Sequence, residues 1–387
     1  MKSSPFLSIL SLFILMAFGI SPIASAQSLT VLYSFTGGAD GDIPFGGVVR
    51  DSAGNLYGTA IYGGAFDEGV VFKVDTANHE TVLYSFAGGS TDGSVPNGDL
   101  VRNSSGDIFG TTEFGGANDD GIVYELSPTN HETVLHDFTG GADGGQPRAG
   151  LTADTAGHLY GVTYYGGSGC TLCGVVFKIL PASSGETVFY NFLAGSDGAN
   201  PFGGVIADSA GNLYGTNTAD GASGFGVVFK IDTTGHLTVL YNFVSGAAAV
   251  SVSKLTLDSA GNLYGTAVKN VGSSGEGVVF KIDTAGTYSV LHSFAGGSHD
   301  GEAPFGQLLL GSDGELYGTT SFGGGSNMGT VYRVNSATGA FTLLHSFSGP
   351  DGADPAGRLI RDSAGNLYGT TEGGGTYSQG TVFKITP

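Results

Sequence analysis

Six loops of this 387-residue chain share the pattern Asp-Gly-x-x-Pro, and they begin at Asp40, Asp92, Asp143, Asp197, Asp300 and Asp351. A carboxylate in such a loop has two uses. It can cap an Asx-turn, with Gly at positive φ and Pro stiffening the segment that follows. Gathered with its counterparts in a ring, it can instead offer oxygens to a cation or to sugar hydroxyls. Calcium takes six to eight oxygens, so one Asp per loop would need carbonyls or neighbouring loops to help. Asp40-Gly41-Asp42 is the only doubled case. A second series is aromatic: Tyr62, Phe66, Phe114, Tyr164, Tyr165, Phe322 and Tyr377 lie in or beside Gly-rich stretches. Exposed rings next to Gly and Asp suit the flat face of a sugar. The alternative packs each ring under its own loop. Together these thirteen residues are the candidate ligand-binding set.

Other chemistry-bearing residues are scattered. His136, His292 and His345 take the place that Tyr33, Tyr84, Tyr190 and Tyr241 hold in the same repeated segment, which reads as a packing substitution. The remaining histidines sit in separate turns, so no metal-ligand spacing emerges and no metal is expected. Serines occur in repeated turns, without a Gly-x-Ser-x-Gly elbow leading into a helix. The chain has no Trp, which weighs against a quinone stacked on tryptophan motifs, and no cofactor is expected. A carboxylate pair for glycoside cleavage stays open. The acids to check are those unique to one repeat, such as Glu113, Asp119, Asp120, Asp220 and Glu372. Cys170 and Cys173 are the only cysteines. In an exported protein a disulfide is expected. The rival readings need an activating helix N-terminus for redox work or two further zinc ligands.

The elements that must position these residues follow from a repeat. Leu-Tyr-Gly recurs with its last glycine at 58, 161, 215, 265, 318 and 369, and Ile108-Phe109-Gly110 fills the gap. These glycines are 52, 51, 54, 50, 53 and 51 residues apart. Each unit holds four short β-branched or aromatic runs bounded by turn residues, such as Gly47–Arg50, Leu56–Ala60, Gly69–Val74 and Thr81–Phe86. Four strands in a unit of this length is a propeller blade. The expected fold is an all-β, seven-bladed β-propeller with antiparallel strands a to d. Apolar residues on both faces of a strand fit blades stacked around a ring. The glycine of strand b is expected to mark close backbone approach between blades. A strand-d sequence, Thr30–Phe35, precedes every other run, and the last unit stops after strand c. The N-terminal strand is therefore expected to complete blade seven and leave no open edge.

The unit D-S-A-G-N-L-Y-G-T, then G-G, G-V-V-F-K-I-D and T-V-L-Y-S-F, resembles the GloVer tandem repeat of exported bacterial proteins. The resemblance implies an exported propeller-like protein of unassigned activity. Members often carry a C-terminal anchor, whereas this chain ends on strand c and Pro387. At the other end, Lys2, the apolar run Phe6–Ile20 and Ala24-Ser25-Ala26 read as a cleaved signal peptide over residues 1–26. The mature chain, 27–387, is then one propeller domain, secreted or periplasmic and monomeric, with no membrane span.

The formal charge of −20 repels nucleic acid, which needs clustered Lys and Arg. The loops joining d to a and b to c share one face and vary most, so that face is expected to bind. Blade five is its odd sector. Gly246–Ser251 lacks Asp-Gly-x-x-Pro, and Lys269–Gly272 lacks both ring and Gly-Gly. These residues lean away from catalysis, toward a binding or scaffold protein for a glycan or surface protein. The alternative is an extracellular carboxylate-dependent hydrolase or lyase acting on polysaccharide.

Overall fold

A computed structural model describes residues 27–181, 185–244, 253–268 and 276–386. The signal-peptide reading, both odd loops of blade five and Pro387 lie outside them. Seven four-stranded antiparallel sheets make seven blades. In blade one, strand a is Val49–Arg50, b is Leu56–Ala60, c is Val70–Val74 and d is Glu80–Ser85. Blade seven has a at Ile360–Arg361, b at Leu367–Thr371 and c at Thr381–Thr386. Its fourth strand is the N-terminal Ser28–Ser34, antiparallel to strand c, with Ser28 opposite Thr386 and Ser34 opposite Thr381. The ring closes as the repeat order requires.

Both faces of each sheet are buried because each faces a neighbouring blade. In blade one, Leu56, Ala60, Val70, Phe72 and Val74 pack toward blade seven. Tyr57 and Val71 pack the other way, against Leu100 and Ile108 of blade two and against Phe86, which follows strand d of blade one. The same join recurs around the ring. A fully buried Phe just after strand d reaches into the next blade and meets the strand-c ring edge-on. Phe86 on Tyr124 is one case, at 5.0 Å. Phe35 does this across the closure, 5.0 Å from Phe72.

The glycine of strand b has a different cause from the one expected. A Cβ at Gly58 would lie 2.6 Å from Cζ of Phe72, in strand c of the same sheet. At Gly318 it would lie 2.5 Å from the Tyr332 hydroxyl. The glycine makes room for the neighbouring strand's ring, not for another blade's backbone. The tyrosine before it ties down the a–b turn. Tyr57 Oη donates to Asp51 Oδ2 at 3.0 Å, and Tyr368 does the same to Asp362. Between strands c and d the register slips once in every blade; in blade one Val71 faces Tyr84 while Phe72 faces Val82. A bulge there adds twist to the outer strand.

Candidate functional site

The six loop aspartates hold the outer ends of the blades. Asp40 Oδ2 accepts from Tyr33 Oη and from the Thr36 N–H, both at 2.8 Å. Asp92 and Asp197 repeat this with Tyr84 and Tyr190. Where the strand carries His, the ring nitrogen reaches the same carboxylate. His136 lies 3.2 Å from Asp143, His292 3.1 Å from Asp300 and His345 2.8 Å from Asp351. The histidines thus replace tyrosine in a hydrogen bond as well as in packing. Burial alone would raise the Asp40 carboxyl, but Thr36 and Tyr33 hold it below the usual carboxylate range.

The rest of the motif clasps one blade to the next. The residue before each proline has positive φ: Ile43, Val95, Gln146, Asn200, Ala303 and Asp354. Its N–H bonds to the preceding blade, as Val95 N does to Glu68 O at 3.0 Å and Asp354 N to Met328 O at 3.0 Å. Its carbonyl turns back to its own strand b and accepts from Glu113 N and Glu372 N, both at 3.0 Å. Left-handed backbone costs a β-branched residue such as Ile43 or Val95. Two inter-strand bonds per loop offset that cost. The proline then lies against a glycine of the preceding blade, Pro44 on Gly380 and Pro96 on Gly69, so any side chain there would clash.

Three positions per blade meet at this clasp: the residue before Pro, the residue after it, and the one following the core of strand b. The residue after Pro lines the mouth of the axial channel, and in blade seven the other two line it as well. In blades two and three they are Val95, Asn97, Glu113 and Gln146, Arg148, Tyr164. These form one bonded network. Arg148 Nε donates to Glu113 Oε1 at 2.8 Å, and Asn97 Nδ2 to Glu113 Oε2 at 2.7 Å. The Arg148 guanidinium lies 4.1 Å over the Tyr164 ring. In blade seven the same positions are Asp354, Ala356 and Glu372. The mouth is a cavity of about 300 Å³ whose wall includes Asn97, Arg148, Asp354 and Glu372, with Phe45, Phe202, Phe305 and Phe322 as apolar surface.

The two acids of blade seven differ from Glu113 in having no cation paired with them among the described residues. Burial, reinforced by the neighbouring Asp354 charge, pushes Glu372 up to about 8. Burial also raises Asp354, against a hydrogen bond from Ser321. Asp354 Oδ1 is buried without a partner. Two adjoining carboxyls with raised proton affinity at one cavity can serve acid–base chemistry, with Glu372 protonated near neutrality.

Of the predicted aromatics, Phe322 lines this cavity and Tyr164 supports Arg148 at its wall. Tyr165 packs edge-on to Tyr164 at 6.0 Å. Phe114 is half-buried and pairs with Ser94 in a two-residue ribbon that ties the two loop sets together. Tyr62, Phe66 and Tyr377 stand exposed, outside the cavity wall. Cys170 and Cys173 are bonded, with Cα atoms 5.4 Å apart. No group of three or more His, Cys, Asp or Glu among the described residues is placed to hold a metal ion. No helix among them is long and apolar enough to cross a membrane. Glu372 was visible in the sequence as an acid unique to its repeat. Asp354 was not, because it occupies a variable x of a motif read only through its constant residues.

Residues 90–272 and 250–387 match the Gloeobacter/Verrucomicrobia repeat. No curated protein matches by sequence. Among solved structures, the extracellular domain of a putative hybrid two-component system from B. thetaiotaomicron superposes with a TM-score of 0.63 at 12% identity, over 93% of this chain. The chain spans 40% of that protein's length. An oligogalacturonate lyase in complex with manganese matches with a TM-score of 0.60 at 13% identity, over 94% of both chains. A second oligogalacturonate lyase, from Vibrio parahaemolyticus, matches at 0.57 and 12% identity, over 92% of this chain and 93% of its own. At these identities the likeness is one of fold. It still corrects the leaning away from catalysis, since a propeller of this shape is one that lyases use. That leaning rested on the absence of a Ser or His constellation, and carboxyls brought together by folding leave no such trace in sequence.

Proposed function

We propose that this chain, which belongs to the Gloeobacter/Verrucomicrobia repeat family, is an exported enzyme that cleaves a saccharide in the axial mouth by hydrolysis or β-elimination. The observation that carries this reading is the Asp354–Glu372 pair. Glu372 keeps its proton at neutral pH and gives it to the departing glycosidic oxygen. Asp354, when ionised, takes a proton, either from an attacking water or from the sugar carbon beside a carboxylate. In the first case water adds across the broken C–O bond. In the second, the C–H electron pair becomes a C=C bond as the C–O bond breaks. The phenylalanines and Arg148 give the sugar an apolar face and a cationic edge. The lyases that share the fold support this reading, and the extracellular sensor domain and the signal-peptide pattern of residues 1–26 support export.

The test is cleavage of a panel of neutral and uronate oligosaccharides by the mature protein and by Glu372→Gln and Asp354→Asn. Each variant is expected to lose about 10²–10⁴-fold in rate. Cleavage that both variants retain in full would overturn the assignment.

A further inference from the structure

One more column of the repeat faces the axis: Gly47, Asp99, Gly150, Gly204, Lys254, Gln307 and Arg358, each leading into strand a. Three glycines leave room that the four larger side chains fill. Arg358 Nε lies 3.0 Å from Asp99 Oδ2, and Asp99 Oδ1 accepts from the Gly47 N–H at 2.7 Å. Lys254 Nζ donates to Leu151 O at 3.0 Å, and Gln307 Nε2 to Leu255 O at 2.9 Å. All four line both the mouth cavity and a second cavity beneath it. They are the wall that the two cavities share.

This wall carries one carboxylate against two cations, so it is net positive in a chain of formal charge −20. Arg358 is matched by Asp99; among the described residues Lys254 has only the Leu151 carbonyl. Burial, with Arg358 reinforcing it and Asp99 opposing, pushes Lys254 down to about 8, so it is charged at neutral pH. Two acceptors lining the mouth, Asn97 Oδ1 and Gln307 Oε1, are buried without a donor. An unmatched cation wants an anion, and orphaned acceptors want hydroxyls. One molecule that brings both is a sugar acid.

We infer that Lys254, Gln307 and Asn97 bind the carboxylate and hydroxyls of a uronic acid of the saccharide. This rests on reading the mouth as a saccharide-cleaving site, and adds that the substrate is acidic.

The test uses the mature Glu372→Gln protein, in which cleavage is slowed and position 372 does not titrate. It is titrated calorimetrically with glucuronate and with glucose. Glucuronate is expected to bind and glucose not. Adding Lys254→Gln is expected to weaken glucuronate about tenfold or more. With Lys254 intact, affinity is expected to fall as pH rises through about 8, where the ammonium loses its proton beside Asp99 and Arg358. This pH series stands in for the double variant should that one fail to fold. No binding of glucuronate, equal binding of glucose, or affinity indifferent to pH and to Lys254→Gln would overturn the inference. Cleavage of neutral saccharides without glucuronate binding would sink this inference and leave the enzyme. Glucuronate binding with no cleavage by the wild type would do the reverse.

Discussion

Replacing Glu372 by Gln should make the protein more stable at alkaline pH and leave it unchanged at acid pH. Burial beside Asp354 moves this carboxyl from an ordinary 4.5 to about 8. At about 1.4 kcal/mol per tenfold change in proton affinity, the fold disfavours the ionised form by roughly 3–5 kcal/mol. The sign follows from linkage: the folded value lies above the unfolded one, so the penalty is absent below the unfolded value. It grows as pH rises between the two and is complete above the folded value. Gln fills the same space and carries no charge. Unfolding entropy scales with chain length, so for this size 3–5 kcal/mol corresponds to very roughly 4–7 °C. Glu80, Glu132 and Glu186 are also pushed up by burial, to about 7, but they cancel in the difference between variant and wild type. The assay is thermal melting of both proteins from about pH 4 to pH 9. A difference that grows through that window supports the site's electrostatics. A constant difference, or a Gln variant that melts lower at the alkaline end, would refute them.

Phe35→Ala should destabilise by about 3–5 kcal/mol, as Phe294→Ala should, because the closing contact is built like the others. A melt that ignores Phe35→Ala would reject ring closure. Gly58→Ala should cost about 1–3 kcal/mol by pushing on Phe72, and adding Phe72→Leu should recover part of it, checked by denaturant unfolding of the three variants. The disulfide spans a loop so short that the Cys170→Ser, Cys173→Ser double variant should lose no more than about 2 kcal/mol. Mass spectrometry of exported protein should find no free thiol.

The ring was legible because it rests on local signals. Turn residues, strand lengths and the misplaced first strand at Thr30–Phe35 repeat often enough to be counted. The glycine of Leu-Tyr-Gly was located but misexplained, since its partner Phe72 is across a hairpin and a sequence does not say which side the ring takes. The mouth was half legible. Looking for what repeats finds the clasp: Asp, Gly and Pro. The proposed chemistry lies where the repeats differ, at Asp354, Glu372 and Lys254. Those residues are separated by up to 118 positions and share a cavity only because the ring brings blade five beside the axis with blade seven.

The most direct measurement is kcat against pH for saccharide cleavage by wild type and by Glu372→Gln, at saturating saccharide so that the loss of affinity through Lys254 drops out. The account predicts a bell whose alkaline limb falls near pH 8 as Glu372 loses its proton, with an acid limb set by Asp354. It predicts that the alkaline limb vanishes from the residual activity of Glu372→Gln. A wild-type profile that stays level through about pH 9, or an alkaline limb that survives the substitution, would contradict it.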